Sequence, residues 1–226
     1  MAPPLIVLSH GSRHPHAHAG VAKLAAATLP LLQPQTRSAA IAHLEFHRLT
    51  LDFVVSTLGD DREAVVVPLL FTRGYHTTED VPAEIGEAER DHGVKLILAD
   101  GLGSGPDLAD ILAERARADA PADARLVLYP VGSSRKQSQD DVDALAALVA
   151  ERLDRPVDVV PATNATRTLT DVEAEHGPIH VLPLFVTHGL LLDKAASSLS
   201  ADSSISAPLF PDLAPLVAAR YAAALR

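Results

Sequence analysis

Cysteine is absent from the 226-residue chain, which excludes disulfides, thiolate nucleophiles, cysteine zinc sites and iron–sulfur clusters. Tryptophan is absent too and aromatics make up only 4% of the chain, so the interior has to be built from Ala, Val, Leu and Ile. A hydrophobic content of 47% suffices for a packed core and argues against disorder. Basic residues are few: 19 Lys and Arg against 29 Asp and Glu leave a net charge of −10. That sign argues against a nucleic-acid partner, which requires a basic footprint on phosphate. No apolar run approaches the roughly 18 residues of a membrane span. The apolar stretch after Met1-Ala2-Pro3-Pro4 covers only Leu5 to Leu8, too short for a secretory leader. The expectation is a cytoplasmic protein with no membrane partner, in which any metal is held by His and carboxylate.

Short aliphatic runs alternate with longer helix-period segments. Leu5–Leu8, Ser38–Ala42, Ala64–Leu70, Val94–Leu98, Arg125–Leu128, Val157–Val160 and Ile179–Leu184 read as buried strands. Between them Val21, Leu24, Ala25, Thr28 and Leu32 recur at helical spacing, as do Val142, Leu145, Ala146, Val149 and Leu153, with Ser138 and Asp141 resembling a capping box. The alternation predicts an α/β fold with parallel sheets covered on both faces. It also repeats. Pro68-Leu69-Leu70-Phe71-Thr72-Arg73-Gly74 is echoed by Pro183-Leu184-Phe185-Val186-Thr187-His188-Gly189, and Pro106-Asp107-Leu108-Ala109 by Pro211-Asp212-Leu213-Ala214. Gly11-Ser12 likewise returns as Gly132-Ser133. The chain therefore reads as two similar βα lobes, 1–120 and 121–226, produced by internal duplication.

Ligands of an open parallel sheet bind at the carboxyl ends of its strands. Three segments are expected there in the first lobe: Ser9-His10-Gly11-Ser12-Arg13, His43-Leu44-Glu45-Phe46-His47, and Arg73 through Pro82. They bring His, Glu and His together without Cys, a donor set suited to a borderline divalent transition metal.

These residues carry a resemblance. His10-Gly11-Ser12-Arg13, Leu44-Glu45, Pro68-Leu69, Gly74-x-His76 and Asp80-Val81-Pro82 together are similar to the class II chelatases, in particular the CbiX-like sirohydrochlorin cobaltochelatases and ferrochelatases. The resemblance covers most of residues 5–115 and departs where the family commonly has Glu-Pro after Leu-Glu and this chain has Arg48-Leu49. It implies a lyase that inserts Fe2+ or Co2+ into sirohydrochlorin or a related tetrapyrrole, in sirohaem or cobalamin synthesis, with no permanently bound cofactor and the metal as substrate. It also implies His10, Glu45 and His76 as catalytic residues and metal ligands, with Ser12, Arg13, Arg73, Gly74, Tyr75 and Thr77 binding substrate. The chemistry agrees: metallation strips two protons from pyrrole nitrogens, and a neutral imidazole serves as ligand and base near pH 7. Aligning the repeats puts Val131 at the place of His10, Leu191 at that of His76 and Thr166 near that of Glu45. The second lobe is thus expected to lack the ligands, leaving a pseudo-dimer with one working site and favouring a monomer.

Other readings stand beside this one. His14, His16 and His18 read as a solvated face, with metal collection as the alternative; His43 and His47, on the side of Glu45, read as site or as structure. Arg13 and Arg73 suit substrate carboxylates or solvent. Gly11 and Gly74 read as tight turns, and Thr78 as the cap of the helix entered at Pro82. A non-catalytic tetrapyrrole or metal carrier is the alternative function. A histidine acid phosphatase is nearly matched by His10-Gly11-Ser12-Arg13-His14-Pro15, but Ser9 replaces the phosphate-binding Arg of that signature. Gly101-Leu102-Gly103-Ser104-Gly105 lacks the last glycine of a dinucleotide loop.

Overall fold

The computed structural model describes residues 2–36, 38–72 and 80–226. The chain runs β1 (Leu5–Ser9), α1 (Ala17–Leu32), β2 (Ala39–His43), α2 (Leu51–Ser56), β3 (Glu63–Pro68), α3 (Val81–His92), β4 (Lys95–Leu98) and α4 (Pro106–Asp119). It continues β5 (Arg125–Tyr129), α5 (Lys136–Leu153), β6 (Val157–Val159), α6 (Leu169–His176), β7 (Ile179–Pro183), α7 (Leu190–Ser198), β8 (Ser204–Ile205) and α8 (Ala214–Ala224). Two parallel four-stranded sheets result, ordered β2-β1-β3-β4 and β6-β5-β7-β8. The α/β reading with two similar parallel sheets holds.

Packing divides the chain into one unit of Met1–Gly103 with Phe210–Arg226 and another of Ser104–Leu209. In the first, β1 is buried along its whole length, as a strand covered on both faces must be. Successive side chains point to opposite faces. Ile6, Leu8, Ala64 and Val66 pack with Leu51, Val54, Val81 and Ile85 of α2 and α3. Leu5, Val7, Val65 and Val67 face the other way, where α1 and α8 lie. The helical stripe read for α1, from Val21 through Leu32, is buried throughout. Each of its Val and Leu side chains contributes about 2 kcal/mol of apolar burial.

The helix α8 is also held by its polar atoms. Arg220 Nε donates to the carbonyl of Gly101 at 2.9 Å and Nη2 to that of Leu102 at 2.7 Å. Hydrogen bonds from a charged donor contribute about 2 kcal/mol. Arg220→Ala should therefore lower unfolding stability by about 2 kcal/mol in a urea titration. A change below about 0.5 kcal/mol would remove this clasp from the account.

In the second unit α6 and α7 cover one sheet face through Val127, Val160, Leu169, Val172, Val181 and Ala195, while α4 packs on α5 and β7. The packing units and the sequence repeat therefore divide the chain at different points. In unit 2, α4 packs on α5 and β7, as α8 packs on α1 and β3 in unit 1, although α4 follows β4 in the chain.

One local expectation is corrected, and one strand went unread. Ser138 does not start a helix: it is buried inside the first turn of α5, which begins at Lys136 after Arg135. The reciprocal capping box belongs to α6, where Thr168 accepts from the Asp171 amide and Asp171 from the Thr168 amide. Strand β8 has no apolar run to announce it. It forms because β7 offers an edge and because buried His180 bonds Ser204 Oγ at 2.7 Å and Ser206 Oγ at 2.9 Å. Ser206 Oγ donates to Asp119 Oδ2 at 2.7 Å, so it accepts from His180 Nε2 and leaves Nδ1 to accept from Ser204. Burial holds this ring neutral, below the usual imidazole range.

Candidate active site

The parallel ladder of β1 and β2 pairs Ser9 with His43 and then runs past both strand ends. Leu44 N–H donates to the Ser9 carbonyl and Glu45 N–H to the His10 carbonyl, each at 2.9 Å. This backbone pairing puts His10 beside Glu45, half-buried and exposed respectively. Gly11 turns the chain away at φ +93, and a Cβ there would stand 1.9 Å from the Glu45 carbonyl oxygen. Glycine is required for both reasons at once. Ser12 Oγ accepts from the His14 amide at 3.1 Å.

Phe46 completes the described surface and was not read from sequence. Its backbone sits at φ +61, a conformation costing a bulky residue about 1 kcal/mol. Its side chain is 50% exposed, stacks on His10 at 6.2 Å and 28°, and lies under the Arg13 guanidinium at 4.7 Å. No periodicity signals such a residue; the positive φ appears only once the fold is known. Arg73, Gly74, Tyr75, His76, Thr77 and Thr78 lie outside the described residues. Helix α3 starts at Val81, with Asp80 before it and Pro82 in its first turn.

Three further histidines gather next to this pair. His43, 2% exposed, bonds Ser9 Oγ through Nδ1 at 2.6 Å and His18 Nδ1 through Nε2 at 3.0 Å. The His47 ring lies parallel to that of His18, 4.4 Å away, and its Nδ1 accepts from the Leu49 amide at 3.1 Å. Burial, together with His47 and His18, lowers the His43 pKa to about 4, and the same kinds of effect lower that of His47. Of the three alternating histidines that open α1, His18 turns into this cluster. His14 and His16 instead face each other at 5.5 Å, with the His16 amide donating to His14 Nδ1. The register that brings His43 alongside Ser9 is what joins them, and spacing alone does not reveal it.

The second unit repeats the backbone without the chemistry. Ala162 N–H donates to the Pro130 carbonyl and Thr163 N–H to that of Val131, while Gly132 turns at φ +99. Val131 thus corresponds to His10, and Thr163, rather than the Thr166 expected from simple offset, corresponds to Glu45.

Residues 4–119 match the protein-family model described as CbiX. A 51-residue stretch is 41% identical to the sirohydrochlorin cobaltochelatase of Sulfurisphaera tokodaii, covering 23% of this chain and 40% of that relative's length. SirB from Bacillus subtilis, solved with Fe3+, superposes with a TM-score of 0.77 at 22% identity, over 99% of this chain and 96% of that one. CbiX, the terminal enzyme for siroheme biosynthesis in denitrifying bacteria, superposes with a TM-score of 0.71 at 23% identity, over 99% and 100%. At these identities the two structures share the fold. Among the described residues no helix is long and apolar enough to cross a membrane.

Proposed function

Since this chain belongs to the CbiX family, we propose that it is a chelatase that inserts Fe2+ or Co2+ into sirohydrochlorin or a closely related tetrapyrrole. The observation that carries this reading is the backbone pairing that sets His10 and Glu45 side by side at the ends of β1 and β2. One side chain offers a nitrogen lone pair and the other a carboxylate; with His76 they make a donor set that accepts either ion. The metal arrives as a dication and the macrocycle gives up two pyrrole protons, so both a metal ligand and proton acceptors have to reach the ring. His10 and His76 hold the ion and accept protons; Glu45, open to solvent, assists their removal. Two or three protein ligands leave coordination positions open, as a transferring site needs.

Phe46 and Arg13 supply the substrate's two other requirements. The half-exposed ring offers apolar contact to a macrocycle, and the guanidinium over it pairs with peripheral carboxylates. Such a local cation is needed in a chain of net charge −10 to attract a polyanion. Ser12, Arg73, Gly74, Tyr75 and Thr77 are assigned to the same substrate surface.

The test is anaerobic absorbance of sirohydrochlorin with Co2+ or Fe2+, with and without the protein. Metallation should accelerate, and His10→Ala and Glu45→Gln should each lose roughly 100-fold of that acceleration, the usual scale of a positioned acid–base group. Macrocycle binding without acceleration by either ion would overturn the enzyme reading in favour of a carrier. Hydrolysis of a generic phosphate ester would favour the phosphatase.

A further inference from the structure

We propose that His18, His43 and His47 form a second metal site, separate from His10 and Glu45, that takes a borderline divalent ion such as Co2+, Ni2+ or Zn2+. One ligand nitrogen from each ring can be chosen so that all three lie within 4.8 Å of one another. Two nitrogens on one tetrahedral ion, each about 2.0–2.1 Å from it, stand about 3.3 Å apart. His18 Nδ1 and His43 Nε2 already face each other at 3.0 Å, so an ion enters between them with a small outward rotation of the rings.

The second observation is the one that distinguishes a ligand from a packed histidine. A metal-bound imidazole commonly donates its other N–H to an oxygen, which fixes the tautomer and aims the lone pair. Ser9 Oγ, 2.6 Å from His43 Nδ1, occupies that position and turns Nε2 toward the cluster. Both residues sit on strand ends that the β1–β2 ladder holds rigid, and both are buried. His18 comes from the first turns of α1 and is half-buried, so solvent reaches the group from that side.

His47 is the ligand that has to adjust. Parallel to His18 at 8°, and accepting the Leu49 amide at Nδ1, it cannot share an ion in its present orientation. Ligation requires it to rotate about its Cβ–Cγ bond and give up the Leu49 amide, which frees a lone pair for the ion. An all-imidazole set with a fourth position open favours Co2+, Ni2+, Cu2+ and Zn2+ over the hard cations Mg2+ and Ca2+.

The experiment is a Co2+ titration of the full chain carrying His10→Ala, Glu45→Ala and His76→Ala, followed by visible d–d absorption and by equilibrium dialysis. This background still binds one equivalent, and Co2+ raises its thermal transition while Mg2+ at equal concentration does not. Adding His18→Ala or His47→Ala weakens the binding at least tenfold, and Ser9→Ala weakens it about 10- to 100-fold, the scale of a lost supporting contact. Adding His14→Ala and His16→Ala leaves it unchanged. All variants are checked for a cooperative thermal transition in the absence of metal; His18 and His47 are only half-buried and tolerate truncation. The proposal is overturned if the background binds no Co2+, if His18→Ala and His47→Ala titrate like it, or if binding follows His14 and His16. No arm uses metallation, so the site stands or falls independently of the chelatase reading.

Discussion

Gly11→Ala should destabilise the protein by about 3 kcal/mol or more and remove the proposed metallation activity with it. Two separate causes add at this position. A residue with a Cβ is strained at φ +93, by about 1–2 kcal/mol. The larger cause is steric: the new methyl would meet the Glu45 carbonyl oxygen at 1.9 Å, more than an ångström inside contact. The oxygen cannot retreat cheaply, because the amide of the same residue is bonded to the His10 carbonyl and the segment continues the β1–β2 ladder. Relief therefore means breaking the pairing that sets His10 beside Glu45. Gly59→Ala is the matched control: its φ is +65, with nothing within 4 Å of the added carbon, so it should cost only about 1 kcal/mol. Urea unfolding of both variants decides the matter. Equal losses would show that backbone strain alone operates and that the contact with Glu45 relaxes freely.

The second large effect is a loss of stability in mild acid. Burial beside two other imidazoles lowers the pKa of His43 to about 4, against 6.5 for the exposed ring. The unfolded chain thus takes up this proton at a pH where the folded protein refuses it. Stability is complete above about pH 6.5, falls as the pH drops toward 4 and stops falling there. Between pH 7 and pH 5 the loss from this one group is about 2 kcal/mol. His180 and His47, also lowered, act in the same direction. Asp158 and Asp171, held low by Arg125 and by Thr168 respectively, contribute only in a more acidic window, below the usual carboxylate pKa. Urea midpoints of metal-free protein at pH 7 and pH 5 measure the total, and the NMR shift of the His43 ring proton identifies the group. That resonance should stay fixed down to pH 5. If it moves with a midpoint near 6.5, or if the two urea curves coincide, the burial account fails.

The parts of the molecule legible in the sequence share one physical property, a signal repeated over many residues. Runs such as Leu5–Leu8, short and followed at once by turn residues, fit strands buried on both faces, and the five-residue stripe of α1 fits a helix facing a core. The duplicated Pro-Leu and Gly-Ser segments led in the same way to two sheets of one topology. What stayed hidden depends on single contacts. β8 is two residues among serines, held by the hydroxyl bonds of His180. Ser138 carries the right residue type for a cap, yet Arg135 precedes the helix, and a buried serine is fixed by tertiary packing rather than by local propensity. The placement of His10 and Glu45 side by side at strand ends was legible because each closely follows an aliphatic strand run. Phe46 was not singled out, and His18, His43 and His47 were named without being grouped, because each depends on how β1 and β2 align and on which side α1 enters.

The exchange of α4 and α8 bears on how the chain is made. Translation delivers β1 through β4 first, but the helix that shields the α1 side of β3 comes off the ribosome only after all of Ser104–Leu209. Until then the Val65 and Val67 face lacks its α8 neighbour, and the first sheet waits incompletely covered while the second assembles with an α4 synthesised ahead of its own strands. A fragment cut at the end of the repeat, near residue 120, would carry a helix that packs with the other unit and would be missing the one its own sheet uses. Intact folding of the unit that carries His10 and Glu45 is thereby tied to the later arrival of Phe210–Arg226, and a premature stop anywhere in Ser104–Leu209 should leave that pair on an unfinished scaffold.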